Sequence, residues 1–385
     1  MSHILECYEI AKTDFERAEN CHLYDSRGKR YVDLESGCWA AVLGHNPPRI
    51  QRVIQEQAAK VIHIGKRYPN EIVEKAAIDV LEITGLTGGK CVFLSSGSEA
   101  VEFAVQAARR ISEKPMCLTF SNSYFGSYGF AGSKSGEGRH VLDWCSRPSA
   151  DPEEILQDVP FDQIGVFIFE PGGSGIGFVH FPPKPLVEAI SRRVRESGGW
   201  IVVNEITTGM GRTGKWFGFQ HYDIQPDLVS LGKGLGNGYP VSAVAIQPAA
   251  AETLERGGFH YVQSHQNDPL GCAIAREVIA ALREGKWIEK GAELGAWFLE
   301  GLREIQKKRA LVKEARGRGM LLGLELQPRD EMPVSRVYRA LLENGYLTGY
   351  YSAGNLLRVD PSLTIDREDI TGFLSALDSI AEVAG

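Results

Sequence analysis

Along the middle of the chain, short apolar runs alternate with longer stretches of mixed polarity. Residues 91–94, 115–120, 164–169 and 200–203 are runs of the length and type that suit strands buried on both faces of a parallel sheet. Helix signals fall between them. Ser96 followed by Glu99 has the spacing of a capping box, and Asp151-Pro152-Glu153-Glu154 puts proline at a first helical position. Strands separated by helices over roughly half the chain predict a doubly wound α/β fold with a mainly parallel sheet. Ahead of that region, residues 21–25 and 30–33 flank the turn Ser26-Arg27-Gly28-Lys29 as a hairpin. Helical patterns follow over 48–61 and 70–84. After Pro269 the pattern changes to two long helical stretches, 268–284 and 287–309, then a short strand–helix–strand region and a last helix from Asp366. These shifts predict a large α/β domain over 46–268 and a smaller α+β domain built from 1–45 and 269–385.

A chain of 385 residues buries a core without help from disulfides or metals. Its net charge of −7 gives it no general attraction for nucleic acid, which is not expected as a partner. Seven cysteines without C-x-x-C spacing read as reduced thiols. The N-terminus lacks a signal-peptide pattern, and no apolar run approaches a membrane span, so the cytoplasm is the expected location and no membrane partner is expected. Nine histidines are scattered without H-E-x-x-H or Cys/His pairing, so no metal is expected.

Three segments suggest ligand binding. In Phe93-Leu94-Ser95-Ser96-Gly97-Ser98-Glu99, a strand ends, Gly97 permits a tight turn and a helix begins. Free amides at a helix N-terminus suit a phosphate, although an ordinary capped turn has the same appearance. In Trp200-Ile-Val-Val-Asn204-Glu205, a buried strand ends in polar residues, where open α/β sheets bind ligands. In Leu228-Val-Ser-Leu-Gly232-Lys233-Gly234-Leu-Gly236, an apolar run delivers a lysine into a glycine-rich loop. Lys233 is either a solvated surface lysine or an amine drawn out of water, and the latter loses its charge more readily and attacks carbonyls. Gly209-Met-Gly211-Arg-Thr-Gly214 matches G-x-G-x-x-G, but the residues after it do not read as the helix that a dinucleotide site requires.

Taken together and in order, these segments resemble the class III aminotransferases of the acetylornithine and ω-amino acid type, a family of fold type I pyridoxal-phosphate enzymes. Gly28 to Asp33, Leu43-Gly-His45, Ser96-Gly97-Ser98-Glu99-Ala100, Glu170-Pro171, Pro226 to Gly234, Gly317 to Glu325 and Leu357-Arg358-Val-Asp-Pro361 carry the resemblance. It implies pyridoxal 5'-phosphate held as a Schiff base on Lys233, with domain 46–268 as the cofactor-binding one. It implies that Ser96, Gly97 and Ser98 hold the phosphate, that Tyr124 stacks on the pyridine ring, and that Phe125, Glu170 and Thr207 complete the cofactor site. Ser264 would reach the phosphate of a neighbouring subunit, which implies a homodimer with shared active sites. Arg358 would bind the substrate carboxylate, in which a planar guanidinium is favoured. Trp39 is either a wall of the substrate pocket or a core residue. The reaction implied moves an amino group between a small carboxylate-bearing amine and a 2-oxo acid. Racemisation, epimerisation or an aminomutase reaction on the same scaffold is the alternative.

The sequence departs from the family at informative places. Asn204 stands where an aspartate faces the pyridine nitrogen, and Thr207 replaces a glutamine. His265-Gln-Asn-Asp-Pro269 replaces Phe-Gly-Gly-Asn-Pro. Gly175 stands where the ornithine branch has a glutamate that covers the arginine. Arg358 is therefore expected to lack a partner and to be open to every substrate.

Overall fold

The structure is a computed structural model that describes residues 3–8, 11, 13–132, 138–146, 151–173, 179–327 and 333–383. The expected hairpin forms. Strands β1 (Phe15–Glu19), β2 (His22–Asp25) and β3 (Arg30–Asp33) pair in antiparallel fashion, with His22 opposite Val32. The Asp25 carboxylate closes the turn between β2 and β3 by accepting from the amides of Arg27 and Lys29.

The main sheet holds β4 (Lys90–Leu94), β5 (Met116–Phe120), β6 (Arg139–Leu142), β7 (Ile164–Phe169), β8 (Trp200–Asn204), β9 (Leu228–Leu231) and β10 (Ser242–Ile246). Their spatial order is β4-β10-β9-β8-β7-β5-β6. Strand β10 runs antiparallel to both of its neighbours, and the other pairings are parallel. The carboxyl ends of β4, β5, β8 and β9 therefore share one edge. Every residue of β7 is buried, as its continuous apolar run requires of a strand covered on both faces. The pattern concealed β6, and it concealed β10 as well. Its sequence Ser-Ala-Val-Ala-Ile is small and lies just beyond the glycine-rich loop, and alanine has little strand preference.

Helices pack on the sheet, one of them from the predicted capping box. Glu71–Thr84 starts at Asn70, whose side chain accepts from the amide of Ile72. Gly97–Ile111 starts at Ser96 with both halves of the capping box present. Asp151 does cap a helix, but that helix covers only Pro152–Ile155. Pro269–Gly285 and Trp287–Lys308 lead to β11 (Val312–Arg318) and β12 (Leu321–Leu326), and Arg367–Val383 ends the described chain. Between them lie β13 (Tyr346–Leu347), β14 (Gly349–Tyr351) and β15 (Leu356–Val359). Strand β13 pairs in parallel with β3, so the two ends of the chain share one small sheet. The other small sheet, β11-β12-β15-β14, carries Arg358. Among the described residues no helix is long and apolar enough to cross a membrane.

Candidate active site

Four strand ends meet at one cavity of about 360 Å³. After β4 come Ser96, Gly97 and Ser98; after β5, Tyr124 and Phe125; at the end of β8, Asn204 and Thr207; after β9, Lys233. Nine of the residues singled out in the sequence, Trp39 included, line this space. Glu170, Arg358 and Ser264 do not.

The first turn of the helix Gly97–Ile111 faces the cavity. Ser96 accepts from the amide of Glu99, whose carboxylate accepts from the amides of Ser95 and Ser96. Among the described residues no hydrogen bond engages the amides of Gly97 and Ser98, which leaves the positive end of the helix free for an anion. Gly97 is required by space: a Cβ there would meet the Ile206 side chain at 2.8 Å. The Ser98 hydroxyl accepts from the Ser127 amide at 3.1 Å.

Opposite this turn, β8 ends at Asn204, and the next side chain, Glu205, takes the other side. Asn204 lines the cavity. It donates from Nδ2 to the Tyr124 carbonyl at 2.8 Å and accepts at Oδ1 from the Ile206 amide at 3.1 Å. These two bonds fix which end of the amide is which, and leave one N–H of Asn204 without a partner among the described residues. Glu205 points away, accepting from the amides of Gly218 and Phe219 at 2.8 and 2.7 Å and from the Thr208 hydroxyl at 2.7 Å. It therefore does not stand in for an aspartate at 204, as strand alternation requires. Behind the cavity wall, buried Glu170 accepts from the Thr207 hydroxyl at 2.5 Å and from the Tyr124 amide at 3.1 Å. Glu170 thus fixes two lining residues without lining the space itself.

Lys233 stands in the left-handed region, with φ of 44°, at the start of a tight turn after β9. Its surroundings lower its pKa chiefly through burial, aided by the nearby Arg358 charge and opposed by Cys38 and Glu170. Its Nζ lies 4.1 Å from the centre of the Trp39 ring, and the Arg358 guanidinium carbon packs on the same ring at 3.6 Å. Trp39 is brought there by an unusual backbone. Ser36, Gly37, Cys38 and Trp39 all have positive φ, of 44°, 57°, 64° and 68°. A left-handed turn costs L-residues about 1–2 kcal/mol each, so it needs outside support. Asp33 supplies part of that support, accepting from the amides of Glu35 and Gly37, while His45 holds Asp33 at 2.7 Å. The Ser36 hydroxyl donates to the Asp360 carbonyl at 2.7 Å.

Arg358 corrects the expectation that it has no partner. It is 4% exposed, and each of its nitrogens is engaged: Nη2 pairs with Glu35, Nε donates to Asp360 at 3.2 Å and Nη1 to the Tyr351 hydroxyl at 2.6 Å. Gly175 lies outside the described residues, and the covering carboxylate comes from Glu35, far away in sequence. Glu35 gave no sequence signal, since an acid beside a hairpin is commonplace, and Asp360, though it lies in the segment Leu357 to Pro361, was not singled out as a partner of Arg358. Ser264 is exposed and does not line the cavity. The glycine-rich segment 209–214 forms turns followed only by a short 3-10 helix, Gly218–His221, and Arg212 within it is fully buried against the carbonyls of Met320, Asp360 and Pro361. The described cysteines are all free thiols.

A family model described as aminotransferase class-III matches residues 8–381. The chain belongs to the class-III aminotransferases. Acetylornithine aminotransferase of Caldanaerobacter subterraneus subsp. tengcongensis is 30% identical over 391 residues, covering 98% of this chain and 97% of that protein. Succinylornithine transaminase of Yersinia enterocolitica is 29% identical, covering 97% and 93%. Among solved structures, acetylornithine aminotransferase from Elizabethkingia anophelis aligns with a TM-score of 0.86 at 26% identity, over 99% of this chain and 96% of that one. An aminotransferase from Bacillus anthracis aligns with a TM-score of 0.90 at 25% identity. This class-III aminotransferase is therefore a pyridoxal-phosphate-dependent enzyme that transfers amino groups on the fold type I scaffold. These relatives carry the names of aminotransferases and transaminases, and nothing in them favours a racemase or an aminomutase.

The cavity fits the cofactor. It offers unpaired helix amides for a phosphate, an amide N–H at Asn204 for a ring nitrogen, and an amine of lowered pKa for an aldehyde.

Proposed function

We propose that this aminotransferase moves an amino group from a small carboxylate-bearing amine to a 2-oxo acid, with Lys233 as the covalent attachment point of the cofactor. The observation that carries this reading is the packing of Lys233 and Arg358 on one indole ring, which sets a reactive amine beside a carboxylate-binding cation. When bound, pyridoxal phosphate supplies an aldehyde for the incoming amine and a ring that withdraws electrons from the substrate carbon.

The residues then have distinct tasks. The amides of Gly97 and Ser98 hold the phosphate, with the Ser96 cap keeping them in place. Tyr124 and Phe125 pack against the ring. Asn204 donates its spare N–H to the ring nitrogen, and a neutral amide holds that nitrogen without a proton. Thr207, fixed by Glu170, borders the ring's polar edge. Lys233, which sheds its charge readily because it is largely enclosed, moves the proton on and off the substrate carbon. Arg358 holds the substrate carboxylate once Glu35 yields its place, and Trp39 walls the substrate side. Ser264 reaches the phosphate site of a second copy in a homodimer. The exposed side chains of Ile62, Tyr68 and Val262 support that reading, since His63 and His265 bring their two segments together. The chain divides for this work into the cofactor-binding part 46–268 and a smaller part from 1–45 and 269–385, and it works in the cytoplasm.

The test is a screen of amino donors against holoenzyme without acceptor. A carboxylate-bearing amine should convert the bound cofactor to its amine form and release one equivalent of the oxo acid that corresponds to that amine. Failure of every such amine, with turnover of amines that lack a carboxylate, would overturn the proposal.

A further inference from the structure

Two histidines and an aspartate converge outside the cofactor cavity. His63 lies in the segment after the helix Pro48–Ala58, and His265 and Asp268 lie just before the helix Pro269–Gly285. The Asp268 carboxylate takes one imidazole on each oxygen. Its Oδ1 lies 2.5 Å from Nδ1 of His63, and its Oδ2 lies 2.6 Å from Nδ1 of His265. The two rings are 4.8 Å apart and tilted by 48°, with both Nδ1 atoms turned to the same carboxylate. The ligand atoms of the three residues all lie within 4.8 Å of one another. His63 is 205 positions from Asp268, so no spacing in the sequence announced the set. None of the three lines the cofactor cavity.

Asp268 gives up an ordinary task to make this contact. It is the N-cap of a 17-residue helix, where an aspartate normally accepts from helix amides, yet its side chain makes no capping bond. The first helical residue is Pro269, so no N–H at that position opposes a cation. The segment is also held from behind. Asn267, with φ of 60°, donates its amide to the Phe93 carbonyl at 3.0 Å and accepts at Oδ1 from the Phe93 amide at 2.9 Å. His265 and Asp268 flank this anchor on β4. The side chains of His63 and His265 are 42% and 61% exposed, and ion pairs or hydrogen bonds in so open a place contribute little by themselves.

We propose that His63, His265 and Asp268 bind a zinc ion, with its fourth position open to water. Two imidazole nitrogens and a carboxylate oxygen are a donor set that suits zinc. Magnesium and calcium prefer oxygen alone, and ions that seek thiolate find no sulfur among the three. Zinc bonds of about 2.0–2.1 Å set the ligand atoms of a tetrahedron about 3.4 Å apart. Each Nδ1 then draws back from the carboxylate by about 0.8–0.9 Å to admit the ion, a movement that side-chain torsions supply. The ion takes the place of the two hydrogen bonds and ties the segment around His63 to the one that carries Ser264.

Calorimetric titration of Zn²⁺ into chelator-stripped, desalted holoenzyme tests this. Binding in the micromolar range or tighter is expected, and His63→Ala, His265→Ala and Asp268→Asn should each weaken it at least about tenfold. Circular dichroism checks that each variant folds. Two further variants separate ligation from hydrogen bonding. His265→Cys keeps a zinc ligand and should keep the ion. His265→Asn still hydrogen-bonds to Asp268 but ligates poorly, and should lose it. Zinc should raise the melting temperature of the native enzyme and of His265→Cys but not of His265→Asn, and a chelator should reverse the rise. If the three residues are a hydrogen-bonded contact and nothing more, the native enzyme binds no zinc, or binds it with an affinity that none of these variants changes. Either result overturns the inference, as does binding of Mg²⁺ as tight as that of Zn²⁺.

Discussion

The Nδ2 of Asn204 donates to the backbone carbonyl of Tyr124 at 2.8 Å, so the residue at the end of β8 also fixes the backbone beside the aromatic wall. An aspartate at this position would present an acceptor to an acceptor. The amide is thus suited to its site on structural grounds, apart from any effect on the cofactor. Two consequences of opposite sign follow for Asn204→Asp. A charged partner for the ring nitrogen should speed the amino-donor half-reaction about tenfold or more, each 1.36 kcal/mol of barrier being a factor of about ten. Leaving the Tyr124 carbonyl without its donor should cost about 1–3 kcal/mol of stability. Stopped-flow absorbance and thermal unfolding read the two effects separately, and a variant that is no faster would remove the electronic argument.

Lys233 should carry the cofactor. Borohydride reduction of holoenzyme followed by peptide mass spectrometry should find the pyridoxyl adduct on Lys233, and Lys233→Ala should lose it. An adduct on another lysine would refute the assignment.

Arg358→Ala should reduce kcat/KM for carboxylate-bearing amines by roughly ten- to a hundredfold, the scale of about 1.5–3 kcal/mol for a hydrogen bond to a charged group. Amines lacking a carboxylate should lose far less. Equal losses for both would show instead that stranding Glu35 and Asp360 had disturbed the site as a whole.

Gly97→Ala tests the phosphate turn. Its new methyl group would sit 2.8 Å from the Ile206 side chain, and overpacking of this kind costs about 1–3 kcal/mol. Spectroscopic titration of the apoenzyme should show weaker cofactor binding, since the turn must shift. Unchanged affinity would mean that Ile206 gives way and the amides stay in place.

Stability should carry an imprint of Asp360. Its pKa is raised from an ordinary 3.8 to about 7 by burial, so the folded state holds a proton that the unfolded state has lost. Its contribution to stability is complete below about pH 4 and is lost as pH rises towards about 7, at up to about 1.4 kcal/mol per unit. Thermal melting across that range should show Asp360→Asn gaining on the native enzyme as pH rises. Parallel curves would show that Asp360 keeps its charge when folded.

The sequence alone determined those features that depend on neighbours in the chain. The capping box at Ser96 and Glu99, the helical pattern over 70–84, the continuous run of β7 and the lysine after β9 are local signals, and each appears where expected. The parallel sheet then brings four strand ends to one edge, so a list of strand-end residues was already close to a list of cavity residues. Tertiary structure decided what depends on distant partners. Glu35 meets Arg358 across 323 positions, and Ser36 meets Asp360 across 324. The left-handed turn from Ser36 to Trp39 is strained in isolation and persists because Asp33 and the Asp360 loop hold it. None of these residues has a spacing or a periodicity that announces its partner. Charge pairing and strain are settled by the packing of the two ends of the chain against each other.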